Sequence, residues 1–105
     1  MLDKLNAIQQ RFHEVNDLII QPDVIADQKR YVTLTREYKE LKALVDAREE
    51  YLEITSNIEE AKDLVRNSDD AEMADMAKME LEELEPALEE LQEKIKVMLI
   101  PKDPE

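Results

Sequence analysis

From Asp27 to Val65 the chain contains neither a glycine nor a proline, and no other feature constrains its fold as strongly. Good helix formers fill the stretch: Leu34, Glu37, Lys39, Glu40, Leu41, Lys42, Ala43, Leu44, Ala47, Arg48, Glu49 and Glu50. The apolar positions fall in two phased sets, Tyr31–Leu34–Tyr38–Leu41 and Leu44–Ala47–Tyr51–Ile54–Ile58–Ala61–Val65. Each set alternates steps of three and four, the period of a helix with one buried stripe. At 1.5 Å per residue the stretch makes a rod of about 60 Å. A rod cannot bury its own stripe, so flanking segments must cover it. The step from Leu41 to Leu44 is a three where a four is due, which rotates the seam around the rod. A change of partner partway along is the simplest cause.

The absence of glycine holds for all 105 residues. It excludes glycine-rich phosphate loops and dinucleotide fingerprints, which need close backbone approach or positive φ, and Asn-Gly hairpin turns. With 39% charged and only 4% aromatic residues, the composition is that of long helices and coiled coils. No cysteine is present, so no disulfide or thiolate chemistry enters, in keeping with a reducing cytoplasm. The longest apolar runs, Leu18–Ile20 and Val97–Ile100, fall far short of the ~20 residues of a membrane span. The start, Met1-Leu2-Asp3-Lys4-Leu5, has no signal-peptide core. The expectation is a cytoplasmic chain without a membrane partner.

Before the rod, Leu5, Ile8, Phe12, Val15 and Ile19 keep strict three–four spacing, predicting an amphipathic helix over residues 2–20. His13 sits on the flank of this stripe as a surface residue. No second histidine and no Glu-x-x-His pair exists to build a metal site. Pro22 disfavours helix at Gln21, and the segment to Ala26 returns the chain antiparallel, with Val24 and Ile25 plugging the end of the core. Asp27 is a suitable N-cap for the rod, expected over residues 27–66. At its other end Asn67 suits a left-handed terminating residue. Asp69 with Glu72 then has the form of a capping box for a last helix, over residues 70–99. That helix carries Ala74, Ala77, Leu81, Leu84, Leu88, Leu91, Ile95 and Met98 in phase. Pro86 lies inside the pattern and predicts a kink rather than a break, because Leu84 and Leu88 stay in register across it. Met73, Met76 and Met79 are read foremost as gap-fillers at the thin end of the helical pair, with a pliable partner surface as the other reading.

Helix lengths account for the register change. The first helix, about 28 Å, covers the rod only to about residue 46; the last, about 45 Å, covers the remainder. The expected fold is all-α: an antiparallel three-helix bundle with one long central helix and a projecting helical hairpin.

Net charge is −13, which argues against nucleic acid as partner of the whole surface. The charge is uneven. Residues 28–48 hold Lys29, Arg30, Arg36, Lys39, Lys42 and Arg48 against Glu37, Glu40 and Asp46, whereas residues 69–93 are strongly acidic with Lys78 as sole cation. Two solvated helix faces account for this; so does a basic contact patch beside an acidic surface that repels RNA.

Three stretches resemble the N-terminal domain of the bacterial class I peptide chain release factor 1 family. They are Met1–Leu5 with Arg11-Phe12-His13-Glu14-Val15, the run from Pro22 to Tyr31, and the end Leu99-Ile100-Pro101-Lys102-Asp103-Pro104. Asp70–Ala77 resembles the stretch before the family's last helix. Ile25 followed by Ala-Asp-Gln is similar to factor 1 rather than factor 2, where a tryptophan commonly follows the Pro-Asp-Val. The resemblance implies a protein that recognises UAA and UAG stop codons on the ribosome and triggers peptidyl-tRNA hydrolysis through codon-reading and Gly-Gly-Gln motifs. Both lie outside such a domain, and a chain without glycine cannot contain the second. Residues 1–100 are then a non-catalytic helical domain without cofactors, and 101–105 the start of a linker to missing domains. The family places this domain toward the ribosomal stalk base, in reach of ribosomal RNA and protein and of the class II release factor, a GTPase. Lys29, Arg30 and Arg36 become the candidate ribosome-contact face, and an uncovered seam would allow the isolated domain to dimerise. The competing reading is a stand-alone coiled-coil adaptor or chaperone-like protein. Periodicity fits it equally; the Pro-Lys-Asp-Pro ending and the Pro22–Tyr31 run disfavour it. An enzyme would need a nucleophile, a base and a pocket, and no such set is present.

Overall fold

The computed structural model describes residues 1–101; residues 102–105 of the expected linker lie outside them. The described residues form four helices and no strand: α1 Leu2–Leu18, α2 Pro22–Ala26, α3 Gln28–Asn67 and α4 Ala71–Met98. The all-α bundle of long helices is therefore what the chain adopts. It divides into two compact units, Met1–Arg48 and Glu49–Glu105. The division falls within α3, just past the Leu41–Leu44 step.

In the first unit α1 runs antiparallel to the first half of α3. Arg48 donates to Asn6, and the rings of Phe12 and Tyr38 stack with centroids 5.0 Å apart, so partners descend in α3 as α1 advances. Val15, Val24 and Leu34 form the core cluster, with Leu18, Ile19, Tyr38 and Leu41 packed around it. The return segment is itself a short helix. Gln21 is extended ahead of Pro22, as the proline ring demands, and Pro22 occupies the first helical turn, where its missing N–H costs nothing. Of the two residues expected to plug the core only Val24 does so; Ile25 is 54% exposed. A helix of five residues turns successive side chains 100° apart, so one position can face inward and its neighbour cannot. Tyr31, in the first turn of α3 where the stripe begins, is also exposed, at 39%. Asp27 caps α3 as expected, Oδ1 accepting from the Arg30 amide at 3.2 Å.

In the second unit the buried positions are Ile58, Ala61, Ala77, Leu91 and Ile95. All eight stripe positions of α4 are buried or partly buried. The turn between α3 and α4 differs from expectation in two ways. Asn67 is not left-handed: no described residue has positive φ. It closes α3 as its last helical residue, donating from Nδ2 to Asp63 Oδ1 at 2.6 Å. The cap of α4 is Asp70, not Asp69. Asp70 has extended backbone, and its Oδ1 accepts from the amides of Glu72 and Met73, while Ser68 Oγ braces the Asp70 backbone. α4 continues unbroken through Pro86. The ring sits on the exposed side, so the Glu82 carbonyl it deprives of a partner can be hydrated.

Candidate interaction face

Asp27 halts the chain in extended geometry and starts α3, so the next residues, Gln28, Lys29 and Arg30, occupy its first turn. That turn carries no acidic residue. Anionic side chains are favoured at a helix N-terminus and cations disfavoured there. Two cations at this end thus raise the local positive potential at some cost in helix stability, as happens where a surface is shaped by binding.

Seven residues separate Lys29 from Arg36, two turns on one face. Both side chains are without an ion-pair partner among the described residues. With Gln28, Val32 and Thr33 they line a shallow open groove. Val32, itself 41% exposed, lies between the cations. Arg30 faces a second depression that Lys29 shares with Arg11, Asp27 and Glu37. Its guanidinium is 3.8 Å from Asp23, a loose exposed pair that leaves most of its charge available. The Thr33 and Thr35 hydroxyls donate back to the carbonyls of Lys29 and Tyr31, so the charged donors on this face are ammonium and guanidinium groups, with the Gln28 amide beside them.

Glu37, next to Arg36 in sequence, is taken up by α1. Arg11 grips Glu37 bidentately, Nε to Oε1 at 2.6 Å and Nη2 to Oε2 at 3.0 Å, and reaches Glu14 at 3.2 Å. The hydrogen bond to Glu37 first, and that to Glu14 second, push the Arg11 pKa further above its ordinary value. Likewise Asp46 is held by Lys42. The three predicted residues are thus brought onto one end of α3, with Lys29 and Arg36 fully free and Arg30 partly engaged. The Arg11–Glu37 pair was not legible beforehand, because its members lie 26 residues apart and meet only through the register of α1 on α3. His13 is exposed beside Phe12, their ring centroids 6.1 Å apart. Among the described residues no group of three His, Cys, Asp or Glu is placed to hold a metal ion, and no helix is long and apolar enough to cross a membrane. Chemically the face can bind a polyanion through two or three cations and one apolar contact.

Residues 8–105 match the PCRF domain. Over 105 residues the chain is 59% identical to peptide chain release factor 1 of Flavobacterium johnsoniae and 52% identical to that of Bacteroides fragilis, in both cases over its full length. Peptide chain release factor 1 of Streptococcus agalactiae is 42% identical over 97% of the chain. The chain spans 28 to 29% of the length of these relatives. No solved structure matches it.

Proposed function

The chain belongs to the PCRF domain family, and from that premise we propose that it is the N-terminal helical domain of a translation termination factor acting in the cytoplasm. In this reading the larger protein recognises UAA and UAG on the ribosome and promotes peptidyl-tRNA hydrolysis. The present domain is not catalytic, since a chain without glycine cannot supply the Gly-Gly-Gln motif. Its part is contact: with RNA and protein of the ribosomal stalk base, and with the class II release factor GTPase. Residues 101–105 begin the linker to the remaining domains.

One observation carries the contact role. In a chain of net charge −13, Lys29 and Arg36 stand unpaired on one face, beside a helix N-terminus whose first turn is free of acid. Cations that gain nothing from intramolecular pairing are available to phosphates. The test is binding to purified ribosomes over a salt series, comparing the chain with a Lys29→Glu/Arg36→Glu variant. Each phosphate contact contributes about 0.7–0.9 to the slope of log affinity on log salt. The double reversal should therefore lower affinity and flatten the slope by about 1.4–1.8. Identical binding at low and moderate salt discards the contact face. A coding sequence that runs past Glu105 to a Gly-Gly-Gln supports the domain assignment; a stop codon there returns the chain to the stand-alone adaptor reading.

A further inference from the structure

The second unit carries a surface of opposite character. Met73, Met76 and Met79 are 52%, 64% and 67% exposed on α4. With Leu64, Ala77, Glu80 and Glu83 they line an open groove. Filling gaps in the core, the reading their spacing favoured, is not what they do: Ala74 and Ala77, interleaved with them, take the inward positions. Three adjacent large apolar side chains held in water mark a site of association, and the flexible, polarisable thioether suits a surface that moulds to its partner.

The surroundings say which partner. Glu80 and Glu83 border the groove, and Glu72, Asp75 and Glu82 lie within one turn of it along α4. None of these carboxylates has an ion-pair partner among the described residues. A neutral or acidic ligand seated here would desolvate or repel them, and a nucleic acid would be repelled outright. The methionines and the two glutamates lie three or four residues apart along the helix, the ridge-and-groove spacing that a second helix fits. We propose that this groove docks a basic amphipathic helix of a protein partner. Its apolar stripe seats on Met73, Met76 and Met79, and its flanking Lys or Arg side chains pair with Glu80 and Glu83. The surface is separate from the Lys29–Arg36 face and does not depend on the role assigned to that face.

The chain has five methionines, so methyl-labelled methionine gives a direct readout in solution. The probe is a synthetic amphipathic Lys/Leu helical peptide, with a Glu/Leu peptide of the same pattern as control. The expected result is a saturable shift of the Met73, Met76 and Met79 methyl signals, with Met1 and Met98 unmoved and no response to the Glu/Leu peptide. A Met73→Ser/Met76→Ser/Met79→Ser variant should bind the Lys/Leu peptide at least about tenfold more weakly, as should Glu80→Lys/Glu83→Lys. Because all three methionines are exposed, the serine variant should keep its helical signal and melting temperature, which separates lost binding from lost folding. Shifts that spread equally to Met1 and Met98, or binding that survives both variants, reduce the effect to general attraction by an acidic chain and overturn the proposal. So do methyl shifts that follow protein concentration without peptide, which would make the occupant a second copy of this chain.

Discussion

The two units are held together by different means although one helix runs through both. In the first, the core consists mainly of branched and aromatic side chains, Leu5, Val15, Val24 and Leu34, with Phe12 stacked on Tyr38 and one buried alanine, Ala47. Polar ties join distant parts of the chain, Arg11 to Glu37 across 26 residues and Arg48 to Asn6 across 42. In the second, two of the buried positions are alanines, Ala61 and Ala77. Every side-chain hydrogen bond there among the described residues stays within four positions in sequence. Large side chains keyed by charge define the first unit; in the second, Ile58, Leu91 and Ile95 are joined by two alanines that admit close helix approach, and a well-capped turn closes it. The charge follows the same division: free cations at the start of α3, unpaired carboxylates around the methionine groove in the first half of α4.

Substitutions can break this contrast. Leu34→Ala should have the largest effect, about 2–5 kcal/mol from lost burial plus a cavity, read as a shift in the urea midpoint of the helical signal. Ala77→Leu attacks the second unit from the opposite direction. Where a nearly inaccessible alanine sets the spacing, added volume should cost about 1–3 kcal/mol. A neutral Ala77→Leu would mean that the helices do not approach closely there, and the distinction between a bulky and a small-residue core would fall. Asp70→Ala should be milder, about 0.5–2 kcal/mol for a lost cap, with Asp69→Ala within about 0.5 kcal/mol of the parent. Equal effects of the two aspartates would return the cap to a shared or frayed turn.

The aspartate pair shows where reading a sequence stops. Both residues are cap formers, and Glu72 lies at capping-box distance from Asp69. The choice was made by one residue's backbone: Asp70 is extended with its carboxylate on the Glu72 and Met73 amides. The same holds for Asn67, a plausible left-handed terminator that instead remains helical and bonds Asp63. The three methionines follow the rule too. Their spacing is compatible with a core edge or with an outer face, and only the seating of Ala74 and Ala77 decides which.

Helix content, the stripe of every long helix apart from Tyr31, the Asp27 cap and an unbroken helix through Pro86 were all determined by the sequence alone. Each rests on local periodicity or on backbone chemistry acting over a few residues. The cationic character of residues 28–48 was determined in the same way, since it needs only a count of charges. Tertiary structure alone decided that Glu37 is taken by Arg11 while Lys29 and Arg36 stay free, and that Val24 is buried where Ile25 is not. The two positions in each such choice are chemically near-equivalent. What separates them is the rotation and register of one helix on another, and that is set by packing between residues far apart in the chain.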